Sequence, residues 1–477
     1  MPEPRRDAGA LRAPITGLGR VRRVYFIGIG GSGMCGIAQV LLHMGYAVSG
    51  SDLHRGASVR TLEALGARVF EGHARGRVAD CDVVVVSSAI PADNPEWVEA
   101  RELRIPVIPR AEMLGELMRM KYAVAVAGSH GKTSTTSMVA TTLTRSDCDP
   151  TVVIGGRLEI LGSHARWGGG QVLVAEADES DGSFLRLYPT VAVVTGIDRE
   201  HLDHYGDFEA VKKAFVAFLR KVPFYGKVIA CLDDEGVQDI LPRLDRRIVT
   251  YGFTPQADYR VTSLEIDGFE TRFEFRHGQG AAQRVRLATP GRHQVLNALA
   301  ALAVADELGV PIEQAAEALD GFRGADRRMQ RIGEAGGVLV VDDYGHHPRE
   351  IEATLGALRE AVGDRRIVVL FQPHRYSRLE ALFDAFCRAF HQAEVVLLTD
   401  LYAAGESPRE GIDAQALAEG LARHGHRDAT WVGPLDAAID AAAARLEASD
   451  VLLTLGAGSV SRAAPAIVER LAKESTR

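Results

Sequence analysis

The chain has 477 residues, 46% hydrophobic and 25% charged, an ordinary composition for a water-soluble globular protein, and this length predicts about three domains. A formal net charge of −8 argues against a chain that coats nucleic acid. No apolar run approaches the roughly 18 residues that a membrane span needs. The five cysteines (Cys35, Cys81, Cys148, Cys231, Cys387) are scattered, odd in number and without a CxxC pair, as expected of reduced core residues in a cytoplasmic protein. Residues 1–20 are rich in Pro, Gly and Arg and lack the apolar stretch of a signal peptide, so a loose tail is expected there.

The ordered pattern begins with a buried-strand run at Val24–Ile27, a glycine loop Gly28-Ile-Gly30-Gly31-Ser32-Gly33, and a helix through Leu42. A second strand, Ala47–Asp52, ends in a carboxylate. This is the GxGxxG fingerprint of a βαβ unit, with glycines that admit a diphosphate to the backbone and an acid placed for a ribose hydroxyl. Taken alone it suggests a nicotinamide dehydrogenase. Strands follow at Val83–Val86, with Ser87 and Ser88 at its end, and at Ile105–Ile108; a helix spans Ala111–Met118. The first domain, Rossmann-like, is expected to cover residues 21–121.

A second phosphate-type loop follows at once. The β-branched run from Val124 ends at Gly128-Ser129-His130-Gly131-Lys132-Thr133-Ser134, and an apolar helical pattern continues through Leu143. Strand, glycine loop and helix N-terminus in that order form a cradle of backbone N–H groups for phosphate oxygens. Lys132 can neutralise the β- and γ-phosphates, and the Thr133 hydroxyl can ligate Mg²⁺. The loop is shorter than GxxxxGK[ST], and a glycine turn with a chance lysine is the plain alternative. The flanking strand and helix favour an ATP site. Two nucleotide sites in tandem fit poorly with a simple dehydrogenase.

Further strands are expected at Val172–Ala175, leading into Glu176-Ala-Asp-Glu-Ser-Asp181, and at Val191–Val194, leading into Asp198-Arg-Glu-His201. Carboxylates and an imidazole at neighbouring strand ends can hold a metal beside a γ-phosphate, where an isolated acidic loop would merely be solvated. From Tyr251 to Leu287 short alternating strands predict an antiparallel appendage. A helix opens after Thr289-Pro-Gly-Arg-His293-Gln294 and carries Asn297. The central α/β domain is expected to span 122–326. A third α/β domain, 327–477, repeats strands at Val338–Asp343, Ile367–Phe371, Val395–Leu398 and Val451–Leu455.

The stretches Phe26–Met34, Glu176–Phe184, Asp342-Asp343-Tyr344-Gly-His346-His347-Pro348 and Phe371-Gln-Pro-His374-Arg375-Tyr-Ser-Arg378 are recognisable together. From residue 21 to its end the chain resembles the Mur ligases of peptidoglycan synthesis, and the compact Gly128–Thr133 loop is also that family's form. The resemblance implies an ATP- and Mg²⁺-dependent ligase with UDP-N-acetylmuramic acid and L-alanine as small-molecule substrates, and an acyl-phosphate intermediate. It implies Lys132, Glu176 and His201 as catalytic residues, with Thr133, Glu176 and His201 at the metal. ATP would contact Gly128–Ser134, with Asn297 at adenine and Arg327 at the phosphates. Gly28, Gly30, Gly31, Ser32 and Gly33 would hold the UDP diphosphate, with Asp52 toward the nucleoside and Ser87 and Ser88 on the same substrate. Tyr344, His374, Arg375 and Arg378 would receive the amino acid.

The sequence departs from the family's usual pattern at Ser129 (threonine), Gly196 (asparagine) and Gln294 (asparagine), and neither Lys212 nor Lys213 aligns with the carbamylated lysine of some relatives. A peptide-recycling ligase shares nearly all these motifs. A dehydrogenase leaves the second loop and third domain unexplained, and a non-catalytic UDP-sugar sensor has no need of Lys132, Thr133 and Glu176. A cytoplasmic monomer or weak homodimer, with no nucleic-acid or membrane partner, is expected.

Overall fold

A computed structural model describes residues 17–158 and 163–474. Its described residues group into two compact units: one runs to Ser129 and takes in 147–229 and 236–248, the other holds 130–146, 230–235 and 249–474.

The first unit contains a five-stranded parallel sheet in the order Arg68–Glu71, Ala47–Asp52, Arg23–Ile27, Val83–Val86, Val107–Pro109. Val24–Ile27 and Val83–Val86 are apolar at every position because both faces of a central parallel strand are covered. The chain order reverses between Arg23–Ile27 and Val83–Val86. That switch point opens a crevice at the strands' C-terminal ends, where Gly28 and Ser87 leave the sheet. The edge strand Arg68–Glu71 has only Val69 buried and gives no apolar run to read. The strand expected at Ile105–Ile108 lies instead at Val107–Pro109, because Pro106 has no N–H for the ladder and offers only its carbonyl, to Val84 N.

Beneath this sheet Glu96 is fully buried. It accepts from the Tyr25 hydroxyl at 3.0 Å, the Ser51 hydroxyl, the Ala74 amide at 3.2 Å and Arg77 at 3.2 Å. Its removal strands donors from two strands and from the loop that carries Ala74 and Arg77. Glu96→Ala is therefore expected to cost about 3–5 kcal/mol of stability, read as a shift of the urea midpoint.

The same unit carries parallel strands Val191–Val194, Tyr122–Ala127, Val172–Glu176 and Thr151–Leu158, with Ser163–Arg166 antiparallel at the end. The register sets Val126 opposite Glu176 and Ala127 opposite Val194, so Gly128, Ala177 and Thr195 leave along one edge.

In the second unit the helices Lys132–Arg145 and Arg292–Glu307 pack together. Tyr259–Asp267, Glu270–His277 and Gln283–Leu287 form the expected antiparallel ladder. Tyr251 and Gly252, however, pair with Tyr259 and Arg260 in parallel. Asp258 brings this about by accepting from the Thr250 amide (2.8 Å) and hydroxyl (2.9 Å), which folds the short link back beside its own strand. A six-stranded sheet runs Gln330–Ala335, Val338–Asp343, Val451–Leu455, Ile367–Phe371, Val395–Leu398, Ala429–Trp431, with only the first pair antiparallel. Its three central strands discharge Tyr344, Gly456 and His374 at one edge. Among the described residues, no helix is long and apolar enough to cross a membrane.

Candidate active site

In the first unit, Gly28 adopts φ +80° and donates its N–H to Ser51 O. Gly31 is the N-cap of the helix Ser32–His43, so the N–H groups of its first turn face the crevice. The Ser32 side chain lies outside the described side chains. Asp52 Oδ2 accepts from Gly30 N at 2.8 Å, and a side chain at Gly30 would stand 2.9 Å from that oxygen. The carboxylate expected to face a nucleoside therefore braces the glycine loop with one of its oxygens.

Ser87, Ser88 and Arg110 line one open cleft with Ile90, Asp181 and Ser183. Arg110 begins the helix Arg110–Arg119, and its guanidinium lies against Gly33, 2.7 Å from where a β-carbon there would be. Among the described residues it forms no ion pair. A half-buried cation beside a helix N-terminus is two positive features together, an arrangement that an anion stabilises. Sequence reading passed over Arg110 because an arginine after a short strand carries no motif.

Gly128 stands at φ +137°, and a β-carbon there would lie 2.1 Å from Thr195 Oγ1, so only glycine fits. Ser129 is buried; its N–H donates to Gly196 O (2.9 Å) and its hydroxyl accepts from Asp198 N (2.8 Å). Serine thus supplies the hydroxyl that this tie needs, and Gly196 contributes through its carbonyl.

Glu176 closes its strand, half-buried at the same sheet edge. His201 is held in the left-handed region (φ +56°), and its Nε2 lies 3.8 Å from Glu179 Oε1 and 3.7 Å from Glu200 Oε2. One ligand atom from each of Glu179, Glu200 and His201 falls within 4.8 Å of the others, and Glu179 is buried. Two carboxylates and an imidazole suit a divalent cation. The pairing expected of His201 was with Glu176; the carboxylates gathered about it are Glu179 and Glu200. Both flank the residues singled out in the sequence, but only the backbone turns decide which oxygens converge.

Lys212 lies between Asp239 (3.1 Å) and Glu209 (3.2 Å), and these carboxylates raise its pKa. A carbamylated lysine is an anion, and this is a site for a cation. Lys213 is exposed.

In the second unit, Gly131 (φ +77°) is the N-cap of Lys132–Arg145, which places Lys132, Thr133 and Ser134 in the first turn. Lys132 and Thr133 are half-buried and Ser134 is buried. Asn297 Oδ1 accepts from Thr135 Oγ1 (3.0 Å) and would stand 2.7 Å from a side chain at Gly131. Its Nδ2 donates to Gln294 Oε1 at 3.4 Å, a role that glutamine performs in place of the usual asparagine. The amide of Asn297 thus braces the phosphate loop at Gly131.

Arg327 is anchored in the third sheet. Its Nε donates to Asp342 Oδ2 (2.9 Å) and its Nη2 to Gly456 O (2.5 Å), so the guanidinium clamps two strand ends of the third sheet. Tyr344 lies with its ring 5.1 Å from both Arg327 and Arg328, and edge-on to His346 at 5.2 Å. The His374 ring stacks on Tyr402 (5.5 Å, 6°), and its Nδ1 lies 3.3 Å from Arg378 Nη1. Burial, with Arg378 and Arg375 nearby, pushes His374 down to about 4, so it is neutral near pH 7. Arg375 is exposed at the helix N-cap (φ +70°) and forms no ion pair among the described residues.

Each of three sheets thus ends in a loop suited to an anion or a metal, the plan of a multidomain nucleotide-dependent α/β enzyme. Three family models match the chain in succession: the Mur ligase family catalytic domain over residues 23–122, the Mur ligase middle domain over 126–305, and the Mur ligase glutamate ligase domain over 327–458. The chain belongs to the Mur ligase family.

It is similar to the UDP-N-acetylmuramate–L-alanine ligase of Geobacter sp. strain M21, at 55% identity over 96% of this chain and 100% of that one. To the ligase of the same name from Sorangium cellulosum strain So ce56 it is 52% identical, over 96% of this chain and 98% of that one. Among solved structures it is similar to the UDP-N-acetylmuramate–alanine ligase MurC of Thermotoga maritima, with 30% identity, a TM-score of 0.78, and 95% and 100% of the two chains covered. A murein peptide ligase from Psychrobacter arcticus shares the fold, with 23% identity and a TM-score of 0.68 over 94% of this chain and 99% of that one.

Proposed function

We propose that this chain joins L-alanine to the lactyl carboxylate of UDP-N-acetylmuramic acid at the expense of ATP, a step in peptidoglycan precursor synthesis. The observation that carries the reading is the phosphate loop Gly128–Thr133, held by Thr195 on one side and Asn297 on the other, in a chain at least 52% identical to ligases named for that reaction.

A carboxylate oxygen of the muramoyl substrate attacks the γ-phosphorus, and ADP leaves. The alanine amine then attacks the acyl carbonyl, phosphate leaves with the bonding pair, and the nitrogen loses a proton. The first step brings two anions together, so its barrier is largely electrostatic. Lys132 and the N–H groups of the first helical turn offset that charge. Glu176 and the Glu179–Glu200–His201 group would hold Mg²⁺ in the first unit, and the Thr133 hydroxyl offers a ligand in the second; the ion would supply further positive charge at the phosphates. We assign the UDP diphosphate to the Gly28–Gly33 loop and Arg110, and the alanine to Tyr344, His374, Arg375 and Arg378. The segments 21–121, 122–326 and 327–477 would carry UDP-sugar, ATP and amino acid respectively.

ADP release by the full chain tests this reading. It should require UDP-N-acetylmuramic acid and L-alanine together, and a tripeptide in place of alanine should not support it. Turnover of the tripeptide in preference to alanine would make this a peptide-recycling ligase. Arg110→Ala should raise KM for UDP-N-acetylmuramic acid about tenfold or more and leave KM for ATP unchanged, since a charge-assisted contact to a diphosphate is lost. An unchanged KM would place the diphosphate elsewhere.

A further inference from the structure

Glu350 does more than cap a helix. It is the third residue of the helix Pro348–Val362, and its Oε2 accepts from the N–H groups of His346 (3.0 Å) and His347 (3.3 Å), closing a capping box. That task occupies one oxygen. The other, Oε1, lies 3.6 Å from Nδ1 of His130 in the phosphate loop and 3.7 Å from Arg328. The His130 ring also lies against that of His347, with centroids 5.2 Å apart.

The carboxylate is thus enclosed by groups from three separate stretches of chain. Burial alone would raise its pKa, but His346, His130 and Arg328 outweigh that and hold it well below the usual carboxylate range. Arg328 brings a permanent positive charge to the same carboxylate.

His130 follows Ser129 between two glycines at positive φ, Gly128 and Gly131, which set the path of the loop on either side of it. Holding this imidazole fixes the peptide planes on either side of it, whose N–H groups are the ones a phosphate would meet.

We propose that Glu350 is a positioning residue for the phosphate loop: it holds His130, and through the amides of His346 and His347 it ties the loop's conformation to the segment that carries Tyr344. The inference rests on the ligase reading only in naming ATP as the loop's ligand. It makes ATP binding dependent on a residue far along the chain that touches no phosphate.

Glu350→Gln separates the two roles. Its amide oxygen can still receive the capping N–H groups, while the negative charge that faces Arg328 and His130 is removed. The full-length variant is expected to bind a non-hydrolysable ATP analogue with Mg²⁺ about tenfold more weakly, with UDP-N-acetylmuramic acid affinity and thermal midpoint close to those of the parent. His130→Asn, which leaves the cap untouched, should weaken the analogue to the same extent. The double variant should be no weaker than either single one, because both remove the same tie. Additive losses, or unchanged analogue affinity in His130→Asn, would overturn the proposal. Calorimetry reads these affinities without turnover, so a parent protein that binds ATP yet releases no ADP would sink the ligase reading and leave this test standing.

Discussion

Replacing Lys132 with alanine is expected to lower kcat by about a hundredfold or more while the chain folds as before. The helix begins at Gly131, so alanine at 132 keeps its first turn and is itself a strong helix former. The Thr136 hydroxyl bonds to the backbone carbonyl of residue 132 and is unaffected by the side chain. What is lost is a cation whose attraction to the transferring phosphoryl group grows as negative charge spreads over its oxygens. The loss should therefore appear mainly in kcat, with KM for UDP-N-acetylmuramic acid unchanged. A steady-state ADP-release assay checks it, and near-normal kcat would remove Lys132 from the chemistry.

The second large effect concerns the amino acid. Alaninamide should be rejected by a factor on the order of 10⁴ relative to L-alanine, because a site built around a carboxylate leaves its guanidinium unanswered when the charge is absent. Glycine should be disfavoured by only ~1–3 kcal/mol, since one methyl carries the difference. The neutral His374 lies beside Arg378, and Arg375 stands exposed one helical turn away. Arg378→Lys should raise KM for alanine, since an ammonium lacks the planar fork that meets both carboxylate oxygens. Acyl phosphate trapped with hydroxylamine should still form in that variant, because it precedes attack by the amine. Equal use of alaninamide and alanine would show that no such clamp exists.

The contrast between what was legible and what was not follows from the range of the interactions involved. Gly28, Gly128 and Gly131 were readable because phosphate loops impose a local backbone that little but glycine adopts. Asp52 was readable as an acid at a strand end, yet its bond to Gly30 N was not, since that depends on two strands lying side by side. Glu176 and His201 carried a motif, whereas Glu179 and Glu200 reach His201 through the left-handed turn at His201 itself.

The central strands, the two glycine loops and the helix that follows each are set by local sequence. Apolar runs buried on both faces, and glycines held at positive φ, are properties of a few consecutive residues. Tertiary structure alone decided the edge strands Arg68–Glu71 and Ala429–Trp431, whose half-exposed sequences acquire a ladder only from a neighbour. It also turned Asn297 toward Gly131, drew Arg327 onto Asp342, and set Glu350 beside His130. These pairings join residues from different elements, and a polar side chain's partner is fixed by which groups are buried with it, not by its neighbours in sequence.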